Sequence, residues 1–388
     1  MAPVNDGAVT QTQAASGQRV SWFELFYDLM VVAAISLLGK IYLKSPDWAT
    51  TGQILVAMTV LFSVWLLTTM FYGLNRGDSF GRRLLLVVQM VAIALAVLTI
   101  DHAGLQDASG LGALAAVVVV PALLFANASR SGSPAGRPSR VLAACCGLAA
   151  VFLMIGAAVT PLEDSAVREW VVPAVAAAAI LVVLIPLLVF VLPRVKSSLD
   201  WHHLDERFGL IVIIVLGESF INLLATLGAV GSIPRPGFFV LTIVIAYCLW
   251  AIYFTSVQVV GAPRSTARLR LWIIGHALLV FSAVAVAVEF ASLTVGQLDG
   301  VVLPDGNWTA LPLAGAVGAV LLLTSTVQGA NRSTLRVHIV AFIALVVLAV
   351  ADLLQLDSNT SWFVTVGAFV VIADTIACAI INRRPAGA

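Results

Sequence analysis

Long apolar stretches, separated by short polar turns, recur along almost the whole chain. A helix needs about 20 predominantly apolar residues to cross the hydrocarbon core of a bilayer. The pattern therefore predicts an all-α polytopic membrane protein. Its twelve expected transmembrane helices lie at residues 22–40, 53–73, 83–101, 109–127, 141–160, 170–192, 208–228, 237–257, 271–291, 310–328, 335–354 and 361–381.

The positive charges alternate in step with these segments. Nearly all of the 21 Lys and Arg residues lie at the termini or beside the loops that follow even-numbered segments. The exceptions are Lys40, Lys44, Arg168 and Arg235. Cytoplasmic loops carry the excess of Lys and Arg in membrane proteins. We therefore expect both termini to be cytoplasmic, in the bacterial cytoplasmic (plasma) membrane.

The composition agrees with a chain whose main partner is a lipid bilayer. Hydrophobic residues make up 61% and charged residues 11%, whereas soluble domains have about 25% charged residues. The net charge of +1 without a basic block indicates no nucleic-acid partner. Residues 1–20 lack the basic and apolar regions of a cleaved signal and are expected to form a disordered cytoplasmic tail.

The spacing of the cysteines predicts no metal site. They lie in apolar segments without zinc-type spacing, and such residues usually behave as small buried apolar side chains. These residues are Cys145, Cys146, Cys248 and Cys378.

A weak internal similarity relates the two halves of the chain. The aligned pairs are Glu24–Leu29 with Glu206–Ile211, Trp65 with Trp250, and Arg83–Met90 with Arg270–Ala277. Such similarity is typical of duplicated membrane folds. Since each half has an even number of helices, the pattern predicts two parallel six-helix repeats, at residues 21–192 and 193–384.

Glu218 is the first candidate for chemistry, because it lies deep in the seventh apolar segment. An ionisable residue inside a membrane helix is costly and usually functional. Gly217 and Ser219 are small neighbours that let another helix approach. Asn222 lies one turn further on the same face.

A second group lies at the cytoplasmic ends of the first and seventh segments. Glu24 and Asp28 share a helix face at i and i+4, and Asp28 lies about 9 Å inside the cytoplasmic edge. Glu206 and Arg207 begin the seventh segment. Glu24 and Glu206 also fit a simple role as helix-start carboxylates favoured by the macrodipole.

The neighbouring His202 and His203 are interpreted as solvated residues rather than ligands. Asp200, His203 and Arg207 recur near helical spacing, which would gather them on one face if that loop is helical.

The ninth segment carries His276 and, towards its outer end, Glu289. A histidine inside a membrane can transfer protons near neutral pH, although a buried hydrogen-bonded role is an alternative. Trp250 and Tyr253 can line a pocket or simply pack. We expect a ladder of protonatable groups formed by Asp28, His276, Glu218 and Glu289.

These residues resemble a known family. SWFELFYDL at 21–29, ERFGLIVIIVLGES at 206–219 and the pair His276 and Glu289 are similar to the bacterial low-temperature-requirement protein A family. The resemblance implies an integral membrane protein associated with growth in the cold, with Glu24, Asp28, Glu206, Arg207, Glu218, His276 and Glu289 as its polar positions. Thr255 stands where the resemblance implies an Asp.

Two functional classes remain open. The first is a proton-coupled transporter of a small-molecule or lipid substrate, which rests on two parallel halves and buried carboxylates with a histidine. The second is a membrane enzyme acting on a lipid or isoprenoid diphosphate. Its acidic, His and Arg groups would lie at the mouth of an apolar cavity, where carboxylates can hold Mg²⁺. A membrane scaffold without turnover is a third possibility.

Overall fold

The twelve predicted segments each coincide with one helix of the computed structural model. The structure describes residues 20–44, 48–75, 79–130, 136–161, 172–230, 236–257, 265–295, 306–328, 331–354 and 361–383, and no strand occurs in these ranges. The helices are α1 (Trp22–Lys44), α2 (Trp48–Leu74), α3 (Phe80–Ala103), α4 (Ala108–Arg130), α5 (Gly136–Val159), α6 (Val172–Val195), α7 (Trp201–Val230), α8 (Pro236–Val257), α9 (Thr266–Val295), α10 (Gly306–Gln328), α11 (Arg332–Leu354) and α12 (Ser361–Arg383).

Most of these helices are long and apolar enough to cross a membrane. Within the described ranges, 10 helices meet this condition. In α8 and α10 the apolar stretches that qualify are shorter, at Phe239–Phe254 and Leu313–Ser325. The predicted tail, apart from Val20, lies outside the described residues.

Most contacts between the two halves are made by α1, α2, α7 and α9. In each half, the first helix packs against the second and third, and the second packs against the fourth and sixth. From the third helix to the sixth, each helix also packs against the next one along the chain. Large apolar side chains such as Leu95, Val340 and Phe369 point outward, as expected where lipid replaces water. The interior, by contrast, lies along α2, where 83% of the residues in the most apolar stretch are buried.

Helix α6 contains a π-helical turn at Leu187–Val191, between Val172–Pro186 and Leu192–Val195. Pro193 has no N–H group and leaves a carbonyl of the preceding turn without its helical donor. Arg270 of α9 donates there, with Nε 2.7 Å from the carbonyl oxygen of Leu188. The π turn therefore accepts a hydrogen bond from the other half of the molecule.

Candidate functional site

Helix α1 starts with a capping box. The Ser21 hydroxyl accepts a bond from the Glu24 backbone N–H at 3.2 Å, and Glu24 Oε2 accepts from the Ser21 backbone N–H at 2.9 Å. This reciprocal arrangement satisfies donors that a helix start leaves free. It also fixes the Glu24 side chain, so that its second oxygen, Oε1, points away from the cap.

Two pairs of side chains at i and i+4 face each other across α1 and α7. On α1 these are Glu24 and Asp28, and on α7 they are His203 and Arg207. His203 Nε2 lies 3.0 Å from Glu24 Oε1. Arg207 Nε donates to Asp28 Oδ2 at 3.2 Å, and its Nη2 donates to Asp28 Oδ1. We call these four residues the inter-half cluster, because each pair belongs to a different half.

The inter-half cluster is enclosed by protein. Asp28, His203 and Arg207 have no exposed surface, and Glu24 is 2% exposed. Arg207 Nη1 also lies 3.5 Å from Glu24 Oε1, so one guanidinium serves both carboxylates. Breaking a buried ion pair by removing one partner costs about 3–5 kcal/mol. Arg207 is therefore the cation on which this contact between the halves depends.

Aromatic side chains enclose the ion pair. Trp65 of α2 donates from its indole Nε1 to Asp28 Oδ1 at 2.6 Å. The guanidinium carbon of Arg207 lies 5.8 Å from the ring centroids of both Trp65 and Tyr27. These cation–π contacts and the indole bond add to the ion pair between Arg207 and Asp28.

An aromatic column leads from the inter-half cluster to His276 of α9. The ring of Phe208 lies 4.8 Å from that of Trp65 and 4.8 Å from that of His276. His276 Nδ1 bonds to the Trp272 carbonyl at 2.9 Å, and its Nε2 lies 3.0 Å from the Tyr253 hydroxyl. Because Nδ1 faces an acceptor, it carries a proton, which makes Nε2 of the neutral ring the acceptor for Tyr253.

The first turn of α7 is tied to the N-terminal half by backbone contacts as well. Asp200 donates its N–H to the Gly73 carbonyl at 3.2 Å, and its carboxylate caps the His203 N–H at 3.2 Å. Glu206 Oε2 accepts from the Val20 N–H at 3.3 Å. Glu206 therefore holds the chain entering α1, next to the inter-half cluster.

The site residues predicted from the sequence lie in several separate parts of the structure. Glu24, Asp28 and Arg207 come together, Glu206 lies beside them, and Tyr253 and His276 form a neighbouring pair. Glu218 is half-buried further along α7, about 16 Å from Arg207 along the axis. Its electrostatic partner is Lys40 of α1.

The remaining expected residues lie elsewhere. Glu289 is buried in α9, at 7% exposure, whereas Trp250 is 41% exposed and stacks on Tyr247. The side chains of Asn222 and Thr255 are outside those that the structure describes.

Two members of the site were not recognised in the sequence. His203 was interpreted as solvated, which is wrong: the helix begins at Trp201, earlier than hydropathy indicates, and carries His203 into the protein. Trp65 was noted only because it aligns with Trp250 in the internal similarity. The available signal was the spacing of His203 and Arg207, which matches that of Glu24 and Asp28.

The helices and their enclosed charges define a polytopic α-helical membrane protein whose halves are joined by a buried ionic cluster. The family model of the bacterial low temperature requirement A protein matches residues 19–373. The chain therefore belongs to this family. No curated protein and no solved structure matches it significantly.

Proposed function

We propose that the protein is a proton-coupled transporter in the bacterial plasma membrane, with twelve spans, cytoplasmic termini and two parallel repeats that move against each other. Each helix pair that packs within the N-terminal half has a counterpart in the C-terminal half. Helices α1 and α7 lie side by side in the same direction, since Glu24 meets His203 and Asp28 meets Arg207. Parallel repeats that rock about a shared interface are a common transporter design.

The contacts of the aligned Glu24 and Glu206 support this repeat. Glu24 bonds to His203 in the first turn of α7, and Glu206 bonds to Val20 at the entrance of α1. Each glutamate thus reaches the start of the opposite half's first helix. The Asp28–Arg207 ion pair has no counterpart related by the repeat, because the positions aligned with Asp28 and Arg207 are Leu210 and Leu25.

The observation that carries the proposal is the fully buried Asp28–Arg207 pair between the halves. By the distribution of Lys and Arg, this pair lies at the cytoplasmic end, so the inter-half cluster acts as a closed cytoplasmic gate. Opening the gate separates Asp28 from Arg207, and this separation is expensive while the two groups are ionised and the site stays dry. Protonation of the carboxylates lowers that cost, which couples opening to proton binding.

A proton route follows the α1–α7 interface in this proposal. The inter-half cluster lies at one end, and Glu218 with Lys40 lies further towards the outer side. His276 and Glu289 are the buried protonatable groups of α9, which packs against α1 and α7. Glu218→Gln is expected to abolish proton coupling, whereas full coupling in that variant would remove the route.

Distances between spin labels test the gate without knowledge of the substrate. Cytoplasmic labels are placed at exposed Phe80 and Ser333, and outer labels at exposed Ala103 and Leu354, with the native cysteines replaced by alanine. Double electron–electron resonance is recorded at neutral and acidic pH and in Asp28→Asn. We expect the cytoplasmic distance to lengthen while the outer distance shortens. Unchanged distances under every condition would contradict the proposal.

A membrane enzyme remains the second candidate, favoured by one observation. The aromatic side chains around the inter-half cluster are concentrated in one place: Phe62, Trp65, Phe208, Trp272 and Phe281. Aromatic faces stabilise cations, as a reaction through a carbocation requires. However, Arg207 and His203 occupy the carboxylates of Glu24 and Asp28, so this donor set does not fit Mg²⁺ as arranged. Mass spectrometry after incubation with isoprenoid diphosphates tests this candidate, because new products support it.

A further inference from the structure

A second buried polar group lies in the C-terminal half, away from the inter-half cluster. His338 of α11 faces Asp374 of α12, and its Nδ1 lies 2.9 and 2.8 Å from the two carboxylate oxygens. The Cys378 thiol, one turn after Asp374, lies 3.8 Å from His338 Nε2 and 4.0 Å from Asp374 Oδ2. We call these three residues the His338 cluster.

The three side chains are buried, at 2% exposure or less. One ligand atom from each lies within 4.8 Å of the others. A zinc ion with bonds of about 2.0–2.3 Å to nitrogen, oxygen and sulfur in a tetrahedral arrangement places its ligand atoms about 3.5 Å apart. The sulfur distances of the His338 cluster are a little longer than this, whereas the distances from Nδ1 to the carboxylate oxygens are shorter. A bound ion would therefore take the place of the hydrogen bond between His338 and Asp374.

Charge balance favours the same interpretation. A carboxylate buried in an apolar helical bundle needs a compensating charge. A divalent ion with ionised Asp374, ionised Cys378 and neutral His338 forms an assembly without net charge. A protonated His338 paired with Asp374 is also neutral, but it gives the thiol no role. A further thiol lies nearby, since Cys248 of α8 interacts with Asp374 and Thr375.

We propose that His338, Asp374 and Cys378 bind a divalent transition-metal ion, with zinc the ion that this donor set fits best. Nitrogen and thiolate ligands with a carboxylate match zinc rather than Mg²⁺ or Ca²⁺, which prefer oxygen. Three protein ligands leave a further coordination position. The ion would tie α11 to α12 in the C-terminal half. This inference does not depend on the proposed transport function.

Metal analysis of the purified, tag-free protein tests the proposal. After equilibration with zinc and removal of excess, mass spectrometry is expected to find about one zinc per chain. Loss of a ligand in Cys378→Ala or Asp374→Asn is expected to weaken zinc binding by more than the about 10–100-fold that loss of an outer-shell partner alone causes. Cys146→Ala, in which another buried thiol is removed from α5, serves as the matched control and is expected to retain the zinc.

Cobalt gives a second readout that does not depend on stability. Cobalt bound to a thiolate has a characteristic charge-transfer absorption, which should appear in the wild type and in Cys146→Ala and be absent from Cys378→Ala. Size-exclusion chromatography identifies variants that are folded. A folded wild type that binds no zinc, or a Cys378→Ala variant that binds it as tightly as the wild type, would overturn the proposal.

Discussion

The inter-half cluster and the His338 cluster are both buried, and both pair carboxylate with basic nitrogen, but they differ in the source of positive charge. Arg207 brings a permanent cation that reaches two carboxylates. The His338 cluster has only an imidazole, together with a thiol at 3.8 Å. A guanidinium cannot be deprotonated in a protein and fills its site with donors. The first cluster therefore contains its own permanent cation, whereas the second has the composition of a metal site.

Their positions differ in a corresponding way. The inter-half cluster spans two halves of the chain, so it resists their separation. The His338 cluster joins α11 and α12 within one half, so an ion there would strengthen that half without linking it to the other. The comparison can be tested by removing one group at a time.

The largest effect is expected from Arg207→Met. It leaves Glu24 and Asp28 buried without their cation, which should lower the free energy of unfolding by about 3–5 kcal/mol. Thermal or SDS unfolding of the detergent-purified protein measures the change. Arg332→Met, at an exposed helix start, is the matched control. A loss below about 1 kcal/mol would mean that the buried pair contributes as little as a surface one.

A chelator should lower the stability that depends on the His338 cluster and leave the contribution of the inter-half cluster unchanged. If the His338 cluster holds zinc at about 100 times its dissociation constant, removal of the metal costs about 2.7 kcal/mol of stability. The melting temperature of the wild type and of Trp65→Phe should fall on chelation, whereas that of Cys378→Ala should not. An equal response in all three proteins would remove the distinction.

Trp65→Phe should have a smaller effect, because it removes the indole hydrogen bond to Asp28 while an aromatic ring still faces Arg207. The expected loss of stability is about 1 kcal/mol, as for hydrogen bonds within membrane proteins. Unfolding of Trp272→Phe, where the buried ring packs on Phe208 and His276, provides the comparison. Equal losses in the two variants would show that the bond to Asp28 adds nothing.

The smallest effect is expected at the π turn of α6. Arg270→Met removes the donor to the Leu188 carbonyl, and we expect a loss of about 0.6 kcal/mol. SDS unfolding again measures it, with Arg268→Met as the neighbouring control. If the Arg270 variant is destabilised as strongly as Arg207→Met, the inter-half cluster is not the dominant polar contact between the halves.

Hydropathy located the helices of the described residues because membrane segments are defined by their own composition. It placed the start of the seventh segment too late, since His203 and Arg207 count as polar although their partners on α1 allow them to be buried. The shared face of Glu24 and Asp28 followed from spacing within one helix. Their pairing with His203 and Arg207 depends on the packing of α1 against α7, and the spacing of residues within one helix does not predict that packing.

The His338 cluster illustrates a different limit. Asp374 and Cys378 have the i, i+4 spacing of a shared face, but a cysteine in an apolar segment reads as a small hydrophobic residue. His338 lies 36 positions away, so only the packing of α11 on α12 reveals the group.

The most direct test of the inter-half cluster is a double-mutant cycle on Asp28 and Arg207. Unfolding free energies are measured for the wild type, Asp28→Leu, Arg207→Met and the double variant. We predict that the double variant is more stable than Arg207→Met, with a coupling of about 2–3 kcal/mol, because the carboxylate of Asp28 is then no longer buried without its cation. Additive losses would contradict the account.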